Sequence, residues 1–176
     1  PERKAILDRV VALTHSGSPD YYGAEYRNGY YFAMKEQPPK QQPLLVALTS
    51  VLDLKTERVV VDPNAIDPAG RTSIDFYVPS LDGRYVAVSL SKDGTEDGTL
   101  HFYETATGRK LDDMIPKVNG GTAGGSATWT ADASGVYYTR YPLEGERAPE
   151  DSPFFQQIFF HKMGAPITED VYVFGK

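Results

Sequence analysis

The chain has 176 residues and a net charge of −6, with 40% hydrophobic and 24% charged residues, a balance that fits a globular protein and excludes a disordered one. The acidic surplus argues against a nucleic-acid partner, which needs a basic surface, and no apolar run approaches the roughly 20 residues of a membrane-spanning helix. With no cysteine, the chain has no disulfide, thiolate metal site or cysteine nucleophile, and a cytoplasmic address is favoured over a periplasmic one.

Residues 2–13 (ERKAILDRVVAL) place Ile6, Leu7, Val10, Val11 and Leu13 at helical spacing, which predicts one short amphipathic helix within a lead-in over residues 1–20. From there the apolar period changes to two. Asn28-Gly29 reads as a hairpin turn into a strand at 30–35. PLLVALTSVLDL and ERVVVDP flank a turn at 55–57, TSIDFYVPS meets GRYVAVSLS through 81–83, and TLHFYETA meets RKLDDMI through Thr107-Gly108. GSATWTA then meets GVYYTRY through 132–135, and QQIFFHKM meets DVYVFGK through a turn holding Gly164 and Pro166.

Two of these stretches repeat one pattern. DFYVPSLDGRYVAVSL (75–90) and ATWTADASGVYYTRY (127–141) each run from an aromatic segment through a small polar turn into an alternating strand. Their offset of about 50 residues is that of propeller blades. Tyr85 is expected to match Tyr137 or Tyr138, with Phe76 and Trp129 in the preceding strands. The units fall at 22–62, 72–115 and 125–175, four strands each, and the third carries the polar, Pro-rich loop PLEGERAPEDSPFF. The expected class is therefore all-β: a partial β-propeller of about three four-stranded antiparallel blades over residues 21–176, preceded by a short helix. Closed rings take typically 4–8 blades, so three are expected to form part of a larger one.

Residues 93–104 (DGTEDGTLHFYE) have EF-hand spacing, with Asp93, Asp97, Gly98 and Glu104 in place, but Thr95 is a poor ligand and both flanks read as strands. A polar hairpin loop is the better reading. GGTAGGSAT (120–128) has the glycine spacing of a phosphate loop, yet Ser126 stands where the lysine belongs. Glycines here still permit close approach of a ligand or another backbone, which makes Gly124, Gly125 and Ser126 the candidates for lining a substrate channel. His15, His101 and His161 are scattered and no G-x-S-x-G elbow occurs, so no catalytic residue, metal site or cofactor site is assigned. Trp129 is expected to pack between blades.

The chain as a whole resembles the N-terminal propeller region of the prolyl oligopeptidase family of serine peptidases. The resemblance rests on YYGAEYRNGYYFAMKE, VVVDPNAI, IDFYVPSLDGRYVAVSLSKDGTEDGTLHFYETATGRKL, ATWTADASGVYYTRYP and QQIFFHKMGAPITEDVYVF, in that order. It implies a seven-bladed propeller that covers a C-terminal α/β-hydrolase domain and restricts access to short peptides, typically cut after proline. The Ser, Asp and His of catalysis would belong to that hydrolase domain, outside these residues. In relatives the segment before the third-blade tryptophan can turn an aromatic toward the substrate; here it is Gly124-Gly125-Ser126. A non-enzymatic propeller that binds a protein or carbohydrate partner is the alternative that sequence leaves open.

Overall fold

The structure, a computed structural model, describes residues 2–119, 125–151 and 153–175. Helix α1 (Glu2–His15) comes first, and the described residues then form twelve strands in three separate four-stranded antiparallel sheets. The first sheet holds β1 (Asp20–Arg27), β2 (Tyr30–Glu36), β3 (Leu44–Leu48) and β4 (Arg58–Val61). The second holds β5 (Thr72–Pro79), β6 (Tyr85–Lys92), β7 (Thr99–Glu104) and β8 (Lys110–Pro116). The third holds β9 (Ala127–Trp129), β10 (Gly135–Arg140), β11 (Gln157–Lys162) and β12 (Val171–Phe174). Strand order follows chain order in each sheet, so every sheet is a simple up-and-down meander. That is the architecture of propeller blades.

The sheets stack face to face. Phe32, Met34, Leu45 and Ala47 of the first sheet meet Val86, Val88, Leu90 and Tyr103 of the second. On its other face the second sheet offers Ala87, Leu100, Phe102 and Ile115 to Trp129, Val136, Tyr138 and Phe159 of the third. Covered on both sides, β6 is buried from Val86 to Ser91, so the alternation in its sequence is of large with small residues and not of buried with exposed ones. Strands β5 and β9, the first of their sheets, also approach each other, so the blades converge along their leading strands.

Trp129 fastens the second seam. Its indole Nε1–H donates to the Val78 carbonyl at 2.9 Å, its ring stacks on Tyr85 at 6.0 Å, and Phe102 meets it edge-on at 5.6 Å. The packing role read for it from sequence is the one observed.

The repeat is real but its register differs from the expected one. Ser80 N–H donates to Tyr85 O as Thr130 N–H donates to Gly135 O, and Gly83 N–H donates to Ser80 O as Ala133 N–H donates to Thr130 O. Tyr85 therefore corresponds to Gly135, not to Tyr137 or Tyr138, while Phe76 and Trp129 lie in the preceding strands, β5 and β9, as expected. Matching aromatic residues misled because the hydrogen-bonded turn, not ring content, sets register.

Two further departures stand out. Residues 63–66 form a one-turn helix, α2 (Pro63–Ile66), where Asp62 accepts from Asn64 N–H and Pro63 occupies the first turn. Helix α1 forms as expected, but Ile6, Leu7, Val10, Val11 and Leu13 are all exposed. Its apolar residues join none of the buried clusters among the described residues.

Candidate functional site

Antiparallel meanders put alternate connections at opposite ends of the stack. The connections at 93–98 and 141–156 and the lead into β9 share one end, the end at which β1 begins. Of the candidate channel residues, Gly125 and Ser126 lie there. Gly124 falls outside the described residues. Gly125 lies so close to the Asn119 backbone that any Cβ would overlap it, so this contact requires glycine. Ser126 is exposed, and its backbone exchanges bonds with Thr139: Ser126 N–H donates to Thr139 Oγ1 at 2.9 Å, and Thr139 N–H donates to Ser126 O at 3.0 Å.

Around Asn119 the end is built from paired polar groups. Gly98 N–H donates to Asn119 Oδ1 at 3.0 Å, Lys117 Nζ donates to Asp97 Oδ2 at 2.7 Å, and Tyr141 N–H donates to Lys117 O at 3.2 Å. Between them Glu96, Asp97, Lys117, Asn119, Tyr141 and Pro153 line a shallow cavity of about 290 Å³. Beneath it, Asp75 sits at a bulge in β5 and accepts from Ser89 Oγ at 3.1 Å and Ser91 Oγ at 2.5 Å. Burial pushes the Asp75 carboxyl above its ordinary range, against the lowering effect of the two serines, and Glu96 adds to the rise.

The third-sheet connection over this end rests on a buried cation. Arg140 binds Glu146 through both guanidinium nitrogens at 2.7 and 2.8 Å and lies 4.2 Å from the centroid of the Phe159 ring. Phe154 and Phe155 are exposed on the same connection, and Arg147 stacks on Phe155 at 4.5 Å. Sequence marked this stretch only as a polar surface loop, although its paired phenylalanines were there to be read.

The two histidines whose side chains are described lie in β7 and β11. His161 pairs with Val136 at the far end of β10 from Ser126, and both its ring nitrogens face carboxylates. His101 lies half-buried in β7; burial and, secondarily, Lys110 push it down to about 4, so its ring is neutral at pH 7. Glu104 lies at the far end of β7 from the 93–98 connection, which dissolves the EF-hand spacing. Among the described residues no cluster of three or more His, Asp or Glu could hold a metal ion, and no helix is long and apolar enough to cross a membrane.

Three meandering four-stranded sheets, stacked with leading strands converging, define a segment of an all-β propeller. The family follows from comparison with known proteins. Residues 1–176 match the profile described as "Prolyl oligopeptidase, N-terminal beta-propeller domain", and the chain belongs to that family. Prolyl oligopeptidase A of Galerina marginata is 25% identical over 126 residues, covering 64% of this chain and 17% of its own length. The prolyl endopeptidase of Elizabethkingia meningoseptica is 28% identical over 123 residues, covering 69% of this chain and 16% of its own. A solved prolyl endopeptidase superposes with a TM-score of 0.82 at 21% identity, over 99% of this chain and 26% of that one. Prolyl oligopeptidase B of Galerina marginata, bound to a 35-residue hydrolysis and macrocyclization substrate, superposes with a TM-score of 0.75 at 18% identity, over 98% and 27% of the two chains. The chain thus spans about a sixth of the length of the curated relatives it matches.

Proposed function

We propose that this chain is the gating, size-filtering propeller portion of a prolyl oligopeptidase-like serine endopeptidase that cleaves short peptides after proline. Family membership across residues 1–176 carries the reading. The geometry agrees with it: the described end is a set of polar loops around a shallow cavity, and Ser126 and His161 lie too far apart along β10 to act together. Catalysis would come from an α/β-hydrolase domain whose activated serine performs acyl transfer. The propeller would contribute exclusion of large substrates and a peptide-facing wall that includes Gly124, Gly125 and Ser126. A small, glycine-lined wall at that place leaves more room for a bulky substrate side chain than an aromatic would.

A chimera tests this. The equivalent blades of the Elizabethkingia meningoseptica prolyl endopeptidase are replaced by residues 20–175 of this chain, and cleavage of proline-containing peptides of increasing length is measured. The expected result is retained cleavage with a steep fall as peptides lengthen, and a lower KM for peptides with a bulky residue before proline than in a Ser126→Phe version. A chimera that cuts long and short peptides equally, or turnover by the 176-residue chain alone that a serine-directed inhibitor abolishes, overturns the proposal.

A further inference from the structure

Strand β7 carries polar groups at alternate residues, His101 and Tyr103, and Thr105, one place past its end, continues the row. Alternation sets such residues on one face of a strand. Here it is the face from which Tyr103 packs into the core between the first and second sheets. Tyr103 is 4% exposed, Thr105 is fully buried and His101 is half-buried. Among the described residues five buried side-chain polar atoms have no hydrogen-bond partner, and three of the five are His101 Nδ1, Tyr103 Oη and Thr105 Oγ1. Their gathering in one row of one seam calls for a cause, because a buried polar atom without a partner has given up its bonds to water for nothing.

The second seam shows the same three positions without the deficit. Val86 and Val136 are equivalent by the turn that precedes each, and they pair with Tyr103 and His161 respectively. Phe159, His161 and Met163 therefore stand where His101, Tyr103 and Thr105 do. Phe159 and Met163 pack apolar side chains into that seam, and His161 has Asp170 at 2.6 Å from Nδ1 and Asp113 at 3.0 Å from Nε2. Each position there is apolar or satisfied by the protein. In the first seam none is.

A ligand that satisfies this row is small and neutral, and it both donates and accepts. Burial pushes the Tyr103 hydroxyl up to about 12, and burial with the nearby Lys110 pushes the His101 ring down to about 4, so neither group is charged at pH 7 or calls for a counter-ion. Water meets the description where it finds two to four polar partners. The first sheet brings acceptors to the outer end of the row: a Cβ on Gly108, in the turn after Thr105, would lie 3.1 Å from the Val59 carbonyl oxygen and 3.3 Å from that of Val60. The Arg58 guanidinium donates to the Ala106 carbonyl beside them, and half-buried His101 joins the other end of the row to solvent. We propose that ordered water molecules, bonded to His101 Nδ1, Tyr103 Oη and Thr105 Oγ1, occupy the first seam and make it a hydrated joint, where the second seam is bonded directly.

A high-resolution crystal structure of the 176-residue chain, together with equilibrium unfolding of Tyr103→Phe and Thr105→Val, tests the joint. The expected result is an ordered water within hydrogen-bond distance of each of the three atoms, each water holding at least one further polar partner. Each variant should lower the folding equilibrium constant about fivefold, the factor that one net hydrogen bond confers. Both replacements keep the shape of the side chain and remove only its hydroxyl, so a hydroxyl with no partner at all would leave the variant as stable as the parent or more so. That outcome overturns the joint, as does a parent structure in which the three atoms are dry or are bonded to protein groups instead. Where a variant fails to fold, the parent structure decides.

Discussion

The turn between the first two strands of a blade shows how single residues write this fold. In the second sheet Ser80 Oγ donates to Asp82 Oδ1 at 2.7 Å, and Tyr85 N–H donates back to Ser80 Oγ at 3.0 Å. In the third, Thr130 Oγ1 donates to Asp132 Oδ1 at 2.8 Å, and Gly135 N–H donates to Thr130 Oγ1 at 3.1 Å. The hydroxyl, the acid two residues on and a left-handed residue after it are the actual repeat. That third position is Gly83 at φ 71° in one turn and Ala133 at φ 57° in the other. An L-residue in this region costs about 1–2 kcal/mol, partly offset by the looser unfolded chain that glycine brings. Ala133→Gly should therefore raise stability, by about 0.5 kcal/mol, in chemical denaturation. A lower midpoint for the variant would show that Ala133 packs usefully enough to outweigh its strain.

At the scale of elements, the strands were legible where one face meets water and less so where both are covered. β10 alternates, with Val136 and Tyr138 buried and Tyr137 exposed, and its period is plain. β6 is buried from Val86 to Ser91, so the alternation in its sequence does not mark a face that meets water. The register between blades was misread because aromatic residues were aligned and the hydroxyl–acid turn was not. The glycine lead into β9 was found from composition, whereas the Arg140–Glu146 support beneath the neighbouring connection joins residues whose pairing no periodicity signals. His101 in β7 carries the pH dependence that belongs to this scale. Its ring stays neutral down to about 4 when folded against an ordinary 6.5, so the unfolded chain binds more protons between those values. The sign follows: stability is full above 6.5 and falls as pH drops toward 4. His101→Leu should flatten this acid limb of the unfolding midpoint. An unchanged slope would place the acid sensitivity elsewhere.

For the whole molecule, the decisive contrast is between the two faces that no other sheet of the chain covers. On the first sheet, Ala33, Leu44, Val46 and Leu48 are buried under Tyr21 and Tyr31. On the same side Lys35 donates to Glu57 at 2.6 Å, and the Tyr21 hydroxyl donates to the other Glu57 oxygen at 2.5 Å. That face carries a charged, mutually satisfied roof. The third sheet has none: Tyr137 rests on Phe160 with centroids 5.0 Å apart, and Val171, Val173 and Phe174 of the last strand are exposed, Phe174 to 71%. β12 is also the edge of its sheet, with one row of backbone groups unpaired by any strand. An apolar face joined to an open edge is a surface for association. The 176-residue chain should therefore self-associate through the third sheet in a concentration-dependent way, read by sedimentation velocity. Val171→Lys with Val173→Lys should shift it to monomer without lowering the unfolding midpoint, because both side chains already face water and Tyr172 between them keeps its place against Phe159. Matching charges on the first sheet, at exposed Val59, should leave association unchanged. A chain that stays monomeric at every concentration, or a double variant that associates as the parent does, would put the adhesive surface elsewhere, and the exposed apolar residues of α1 would then be the next to alter.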